Sequence, residues 1–230
     1  MKPEYMIPSR EEIVIFRKKI LAWFRKYGRT YPWRQEKDPY RILIAEMMLR
    51  RTKADQVVPV YERFLKEFPD IEALAEADPE KLEKILYPLG LKWRVRDFKL
   101  MARMLRDKYG SRIPDERKEL VSLPGVGEYV AGAVLSIAYG KNEWIVDSNI
   151  VRIFKRYFGI ETSKEGRRDK HVIEIARIYA SGKDPGRANM GILDITALIC
   201  KPRKPVCEKC PLRARCHYAS FYFRNLSDTG

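Results

Sequence analysis

Apolar residues in this chain recur at steps of three and four from one end to the other, and nowhere do they alternate. Ile13, Phe16, Ile20 and Phe24 mark one helix face; Val57, Val58, Tyr61, Phe64 and Leu65 mark another; Val95, Phe98, Met101, Met104 and Leu105 mark a third. The run Ile42–Leu49 is apolar apart from Glu46. Tyr31-Pro32-Trp33 breaks the first helix. Asp78-Pro79 reads as an N-cap and first-turn proline opening a helix through Leu86, which Gly90 closes; Gly110 ends the next. Further helices are predicted over Ile150–Phe158, Val172–Ala180 and Met190–Cys200, with Glu161–Lys170 as a polar surface loop. Without strand patterning, the fold class is all-α.

The charge then narrows what the fold can meet. Of 230 residues, 46 are Lys or Arg and 31 are Asp or Glu, a formal net charge of +15. A folded chain this basic points to a polyanion, either nucleic acid or an anionic membrane; a solvated, ion-paired surface is the reading that charge alone leaves open. No apolar run approaches the ~18–20 residues of a membrane span, and no signal-peptide pattern opens the chain. The expectation is an intracellular, cytoplasmic protein with no membrane partner. All four cysteines lie at or beyond position 200. Clustered cysteines without a secretion signal favour a metal site over disulfides.

Four local patterns carry chemistry. Leu123-Pro124-Gly125-Val126-Gly127 joins two amphipathic helices, within about 116–139. Gly125 and Gly127 allow positive φ and leave the backbone bare. A helix starting at about Glu128 would point its free N–H groups outward, an arrangement that suits a phosphate oxygen, although an ordinary tight turn fits the same residues. Asp147, in Trp144-Ile145-Val146-Asp147-Ser148-Asn149, sits where an N-cap would add about 1 kcal/mol. Glu46 is an acid within an apolar helix, costly unless it faces solvent or has a function. Cys200, Cys207, Cys210 and Cys216 follow C-x6-C-x2-C-x5-C, a spacing that serves zinc or a [4Fe–4S] cluster equally. The loop they span carries six basic residues against the single Glu208, suited to phosphates. His217 is surplus to four ligands.

Taken together, Leu-Pro-Gly-Val-Gly and the aspartate twenty residues after Gly127 resemble the helix-hairpin-helix "Gly-Pro-Asp" DNA glycosylases. The likeness runs from about Tyr31 to Cys216, and is greatest to the endonuclease III/MutY branch and its thymine–guanine mismatch (MIG) type. It implies two helical lobes: a six-helix lobe over 31–143 holding the hairpin, and a second lobe joining 1–30 to 144–230, with the cluster loop at 200–216. The active site is expected between them, with Tyr129 and Asp147 on opposite sides. The cysteine spacing matches the family's [4Fe–4S] cluster, so that cofactor is expected, as a structural and DNA-contacting element. The partner expected is double-stranded DNA with a mismatched or damaged base, bound by a monomer associated with the nucleoid.

The resemblance also assigns roles. Asp147 matches the catalytic aspartate, which stabilises positive charge built up on the sugar and orients a water. Asn149 matches an Asn that positions sugar or water. Glu46 lies where MutY has its general acid. Lyases of the family place a Lys at the position of Tyr129; a phenol forms no Schiff base, so water is the nucleophile and the strand stays intact. Tyr129 could equally pack in a core or stack on an extruded base. Arg50, Arg51 and Thr52 replace MutY's Gln-Gln-Thr, and an arginine suits the paired acceptors of an orphaned guanine. Leu91 sits where relatives place an intercalating wedge, or in the core. Leu123, Gly125, Val126 and Gly127 would grip the backbone. The implied reaction is hydrolysis of the N-glycosidic bond of thymine or uracil opposite guanine. The alternatives are a MutY-type adenine glycosylase, which Ala131-Gly132-Ala133 favours and the chain's end at Gly230 disfavours, an endonuclease III-like lyase, and a non-catalytic DNA-binding module.

Overall fold

A computed structural model describes residues 7–90 and 94–221. Every regular element among them is helical. In chain order these are α1 (Arg10–Tyr27), α2 (Pro39–Leu49), α3 (Ala54–Glu67), α4 (Ile71–Ala75), α5 (Pro79–Leu86), α6 (Val95–Tyr109), α7 (Arg117–Ser122), α8 (Glu128–Ile137), α9 (Ser148–Phe158), α10 (Lys170–Ala180) and α11 (Pro185–Leu198). No helix among the described residues is long and apolar enough to cross a membrane. The chain divides into two compact units, one contiguous over Thr30–Lys141 and one assembled from Met1–Arg29 and Asn142–Gly230.

The contiguous unit is built around α2. Residues 42–48 of this helix are all buried, because α3 and α8 pack against it. A helix apolar all round belongs in the middle of a core. Around it α4 and α5 lie on α6, and α7 on α8. Asp38, Asp70 and Asp78 each cap the helix that follows through a side-chain carboxylate. The periodicity did not predict α4, whose five residues are too few to show a period.

The discontinuous unit holds α1, α9, α10 and α11. Ser9 and Glu12 form a reciprocal capping box that starts α1. The apolar face of α1 packs on α10 and α11. Phe16 is its centre, with ring centroids 4.6 Å from Tyr157, 5.7 Å from Tyr179 and 5.9 Å from Phe154. Asp194 on α11 is fully buried and accepts from the Arg29 backbone N–H at 2.7 Å and from its guanidinium at 2.8 and 2.9 Å. Replacing Arg29 would take the ion pair from a fully buried carboxylate, at a cost of up to about 3–5 kcal/mol. Helix α11 begins at Pro185, five positions before the expected Met190, with proline in the first turn as at Pro79; Asp184 before it takes a left-handed angle of φ +56° and, unlike Asp78, makes no side-chain cap. The expected loop before α10 contains a 3₁₀ turn at Gly166–Arg168, tied by Asp169, which accepts from the N–H groups of Ser163, His171 and Val172.

Candidate active site

In the contiguous unit, Leu123–Val126 forms a tight turn closed by the Val126 N–H on the Leu123 carbonyl at 3.0 Å. Pro124 and Gly125 take its two central places, and Gly125 has φ +78°, as a type II turn requires. Gly127 differs from expectation: its φ is −106°, an ordinary extended value for an N-cap residue. Only Gly125 needs glycine for its backbone angle. A Cβ there would also lie 3.0 Å from the Asp97 Cβ and 3.1 Å from the Met47 Cε. At Gly127 a Cβ would meet nothing within 4 Å, and no side chain caps the N-terminus of α8. Gly127 and Glu128, where the helix starts, are both exposed. Leu123 and Val126 bury their side chains in the core, so what they offer a ligand is backbone. We expect Gly125→Ala to lose about 1–2 kcal/mol from the left-handed angle alone. Gly127→Ala should keep most of the stability and lose DNA affinity, because its methyl enters the open space beside the amides. Thermal melts and duplex titrations of both variants check this; equal stability losses would contradict it.

Glu46 lies on α2 and is 5% exposed, not solvent-facing. Its Oε2 has no hydrogen-bond partner among the described residues. Burial pushes its carboxyl up to about 7, against the opposing pull of the Arg34 guanidinium. Arg34 belongs to the 3₁₀ turn Pro32–Arg34, which packs against α2 beside the buried Trp33. At the end of the same helix, the Arg50 Nη1 donates to the Gly125 carbonyl at 2.6 Å. Arg50 thereby ties the end of α2 to the hairpin. Arg51 is exposed and has φ +66°, in the left-handed region. Thr52 is half-buried beside it, its N–H on the Leu49 carbonyl at 3.3 Å. Arg94 is buried beneath them and donates to the Met47 carbonyl at 3.0 Å. Its own burial, then Arg50 and Arg51, push it down to about 10, so it stays charged at neutral pH. Tyr129 is half-buried on the first turn of α8, packed against the core cluster that contains α2. Leu91 lies outside the described residues.

In the discontinuous unit, Asp147 caps α9. Its Oδ1 accepts from the N–H groups of Asn149 at 2.9 Å and Ile150 at 2.8 Å. Its Oδ2 accepts from the Asn149 side-chain amide at 2.7 Å. The Asn149 oxygen accepts in turn from Arg152 at 2.7 Å. Arg152 also donates to the Cys200 carbonyl at 2.9 and 3.1 Å and to the Thr196 carbonyl at 3.2 Å. A continuous chain of hydrogen bonds thus joins Asp147 to the first cysteine. Arg152 went unnoticed in the sequence, although its place five residues after Asp147 is visible there.

All four cysteines are free, and all four line one pocket, together with Ile153, Arg156 and Tyr157 of α9. Cys210 is pushed up to about 12, first by burial and then by the neighbouring cysteines. Four thiols facing one cavity need a cationic centre to hold them as thiolates. Among the described residues no three of them close into a set that would hold a single metal ion. Four cysteine sulfurs lining one cavity are a donor set that either one zinc or an iron–sulfur cluster takes. His217 is exposed and rests against Gly159, not in this pocket.

These features have counterparts in known proteins. Over 216 residues the chain is 39% identical to a protein of Aeropyrum pernix named thymine-DNA glycosylase, covering 91% of this chain and 96% of the relative. It is 37% identical to a thymine/uracil-DNA glycosylase of Methanothermobacter thermautotrophicus, covering 89% and 93%. The solved structure of a thermostable thymine-DNA glycosylase superposes with a TM-score of 0.85 at 35% identity, covering 92% of this chain and 98% of the other. Residues 44–177, which include the hairpin, Glu46 and Asp147, match the HhH-GPD superfamily of base excision DNA repair proteins. With the hairpin, the capping aspartate and near-full-length likeness in agreement, this chain belongs to the HhH-GPD superfamily of base excision DNA repair proteins.

Proposed function

We propose that the protein is a monofunctional DNA glycosylase that removes thymine or uracil opposite guanine and leaves the strand uncut. The observation that carries this reading is the near-full-length likeness to relatives named for release of those two bases. The exposed N-terminus of α8 takes a DNA phosphate and holds the duplex without reading its sequence. The target base leaves the stack, and Asp147 stabilises the positive charge that develops on the sugar as the bond to the base breaks. Tyr129, having no amine, leaves water as the nucleophile. Arg51, whose guanidinium is exposed, offers paired donors to the O6 and N7 of the orphaned guanine. The four cysteines are proposed to hold a [4Fe–4S] cluster; when bound, it crosslinks the basic loop that faces DNA.

Glu46 supplies a neutral acid in this scheme. A carboxyl at about 7 is largely protonated below neutral pH and can donate a hydrogen bond to a pyrimidine carbonyl. The same shift marks stability. The native state keeps a proton that the unfolded chain releases at about 4.5, so the protonated side chain favours the fold fully below that pH. This contribution is lost as pH rises through about 7, a fall of roughly 3 kcal/mol. Glu46→Gln, always neutral, should flatten the fall of the melting temperature between pH 5 and 8. Parallel pH profiles for the two proteins would remove Glu46 from this role.

The function itself is tested with labelled duplexes carrying T:G, U:G, A:G, A:8-oxoguanine or thymine glycol, with and without alkali. Strand scission at T:G and U:G only after alkali is expected. Preferential release of adenine would overturn the substrate assignment in favour of a MutY-type enzyme, the reading that Ala131-Gly132-Ala133 favours. Scission without alkali would overturn the monofunctional assignment.

A further inference from the structure

Arg156 stands on α9 one turn beyond Arg152 and meets both ends of the cysteine loop. Its Nη1 donates to the Lys201 carbonyl at 2.7 Å and lies 3.5 Å from the Cys200 Sγ. Its Nη2 donates to the Pro202 carbonyl at 2.7 Å. The guanidinium carbon sits 4.8 Å from the centroid of the Tyr218 ring. The Arg156 carbonyl accepts from the Cys216 Sγ at 3.4 Å. One residue thus touches the first and the last cysteine and also lines the pocket that all four share. A side chain serving only to hold a loop would need the carbonyls alone; the approach to a sulfur adds a second effect. An N–H donor to a ligating sulfur stabilises the more negative, reduced state of an iron–sulfur centre.

We infer that Arg156 is a positioning residue for the cysteine loop, and that its hydrogen bond to Cys200 makes a bound [4Fe–4S] cluster easier to reduce and slower to lose iron. The inference rests on the cofactor reading above. Lys keeps the charge at this place but lacks the planar fork that reaches two carbonyls and a sulfur at once. The test compares wild type, Arg156→Lys and Arg156→Met, each purified anaerobically as the full chain. Iron and sulfide content, reduction potential and the rate of iron release to a chelator are measured. In both variants the potential should move to more negative values and iron should leave about 10–100-fold faster, the usual cost of a lost partner to a ligand. If Arg156→Met takes up no iron while wild type does, the positioning role is supported and Arg156→Lys decides the hydrogen bond. Loaded variants that match wild type in potential and in iron release overturn the inference alone. A colourless wild type with stoichiometric zinc refutes the cofactor reading and this inference with it.

Discussion

Asp147→Asn is expected to slow base release by about 10²–10³-fold while leaving duplex affinity and helix content close to wild type. The contrast follows from the two duties of the carboxylate. As N-cap it accepts from the Asn149 and Ile150 N–H groups through Oδ1, and an asparagine oxygen does this equally well. The negative charge is not replaced, and in the proposed reaction it is the charge that opposes the cation growing on the sugar. A further consequence concerns Oδ2, which accepts from the Asn149 amide. An asparagine placing its NH₂ there would set donor against donor. Turning the Asn149 amide over to repair that contact would point its NH₂ at Arg152, and the chain to Cys200 would break at its second link. Single-turnover release from T:G, with affinity measured on a duplex that resists cleavage, separates binding from chemistry. An undiminished rate would remove Asp147 from catalysis.

The second large effect is a change of product. Tyr129→Lys should create a covalent, borohydride-trappable enzyme–DNA complex that wild type does not form. Tyr129 occupies the first turn of α8, half-buried against the core. The positive end of a helix and partial burial both lower the pKa of an amine placed there, so a lysine would be a competent nucleophile near neutral pH. Its attack on the sugar would form a Schiff base and lead to strand scission without alkali. Trapping by the wild-type protein would refute the assignment of water as nucleophile.

The regular helices and the hairpin were readable from apolar spacing and from the glycine and proline positions, because those signals are local. The contribution of each hairpin glycine was not. Gly125 and Gly127 look alike in sequence, but only Gly125 takes a left-handed angle, and its neighbours Asp97 and Met47, distant along the chain, leave no room for a Cβ there. Glu46 could be exposed or buried on pattern alone; its fate was decided by α3, α8 and the Pro32–Arg34 turn packing against α2. Arg50 and Arg51 are adjacent and chemically identical, yet one spends its guanidinium on the Gly125 carbonyl and the other remains exposed. The roles of Arg152 and Arg156 were not legible because most of their partners are backbone carbonyls more than 40 residues away, which carry no side-chain signature. Asp147 is a middle case: its capping was legible, its link to the cysteine loop was not.

The division of the chain has a consequence for how the protein is made. Residues 30–141 form one unbroken stretch, whereas α1 finds its packing partners in α9, α10 and α11. At roughly 5–20 residues per second, α1 waits on the order of 10–30 s of synthesis before α11 is complete. Through that interval Ile13, Phe16, Ile20 and Trp23, all buried in the finished protein, face the ribosome surface and its surroundings with nothing to cover them. The hairpin half can be complete before the half bearing Asp147 exists. The nascent chain therefore passes through a stage with a sticky leading helix, and holding that helix apart is work that falls to whatever attends the emerging polypeptide.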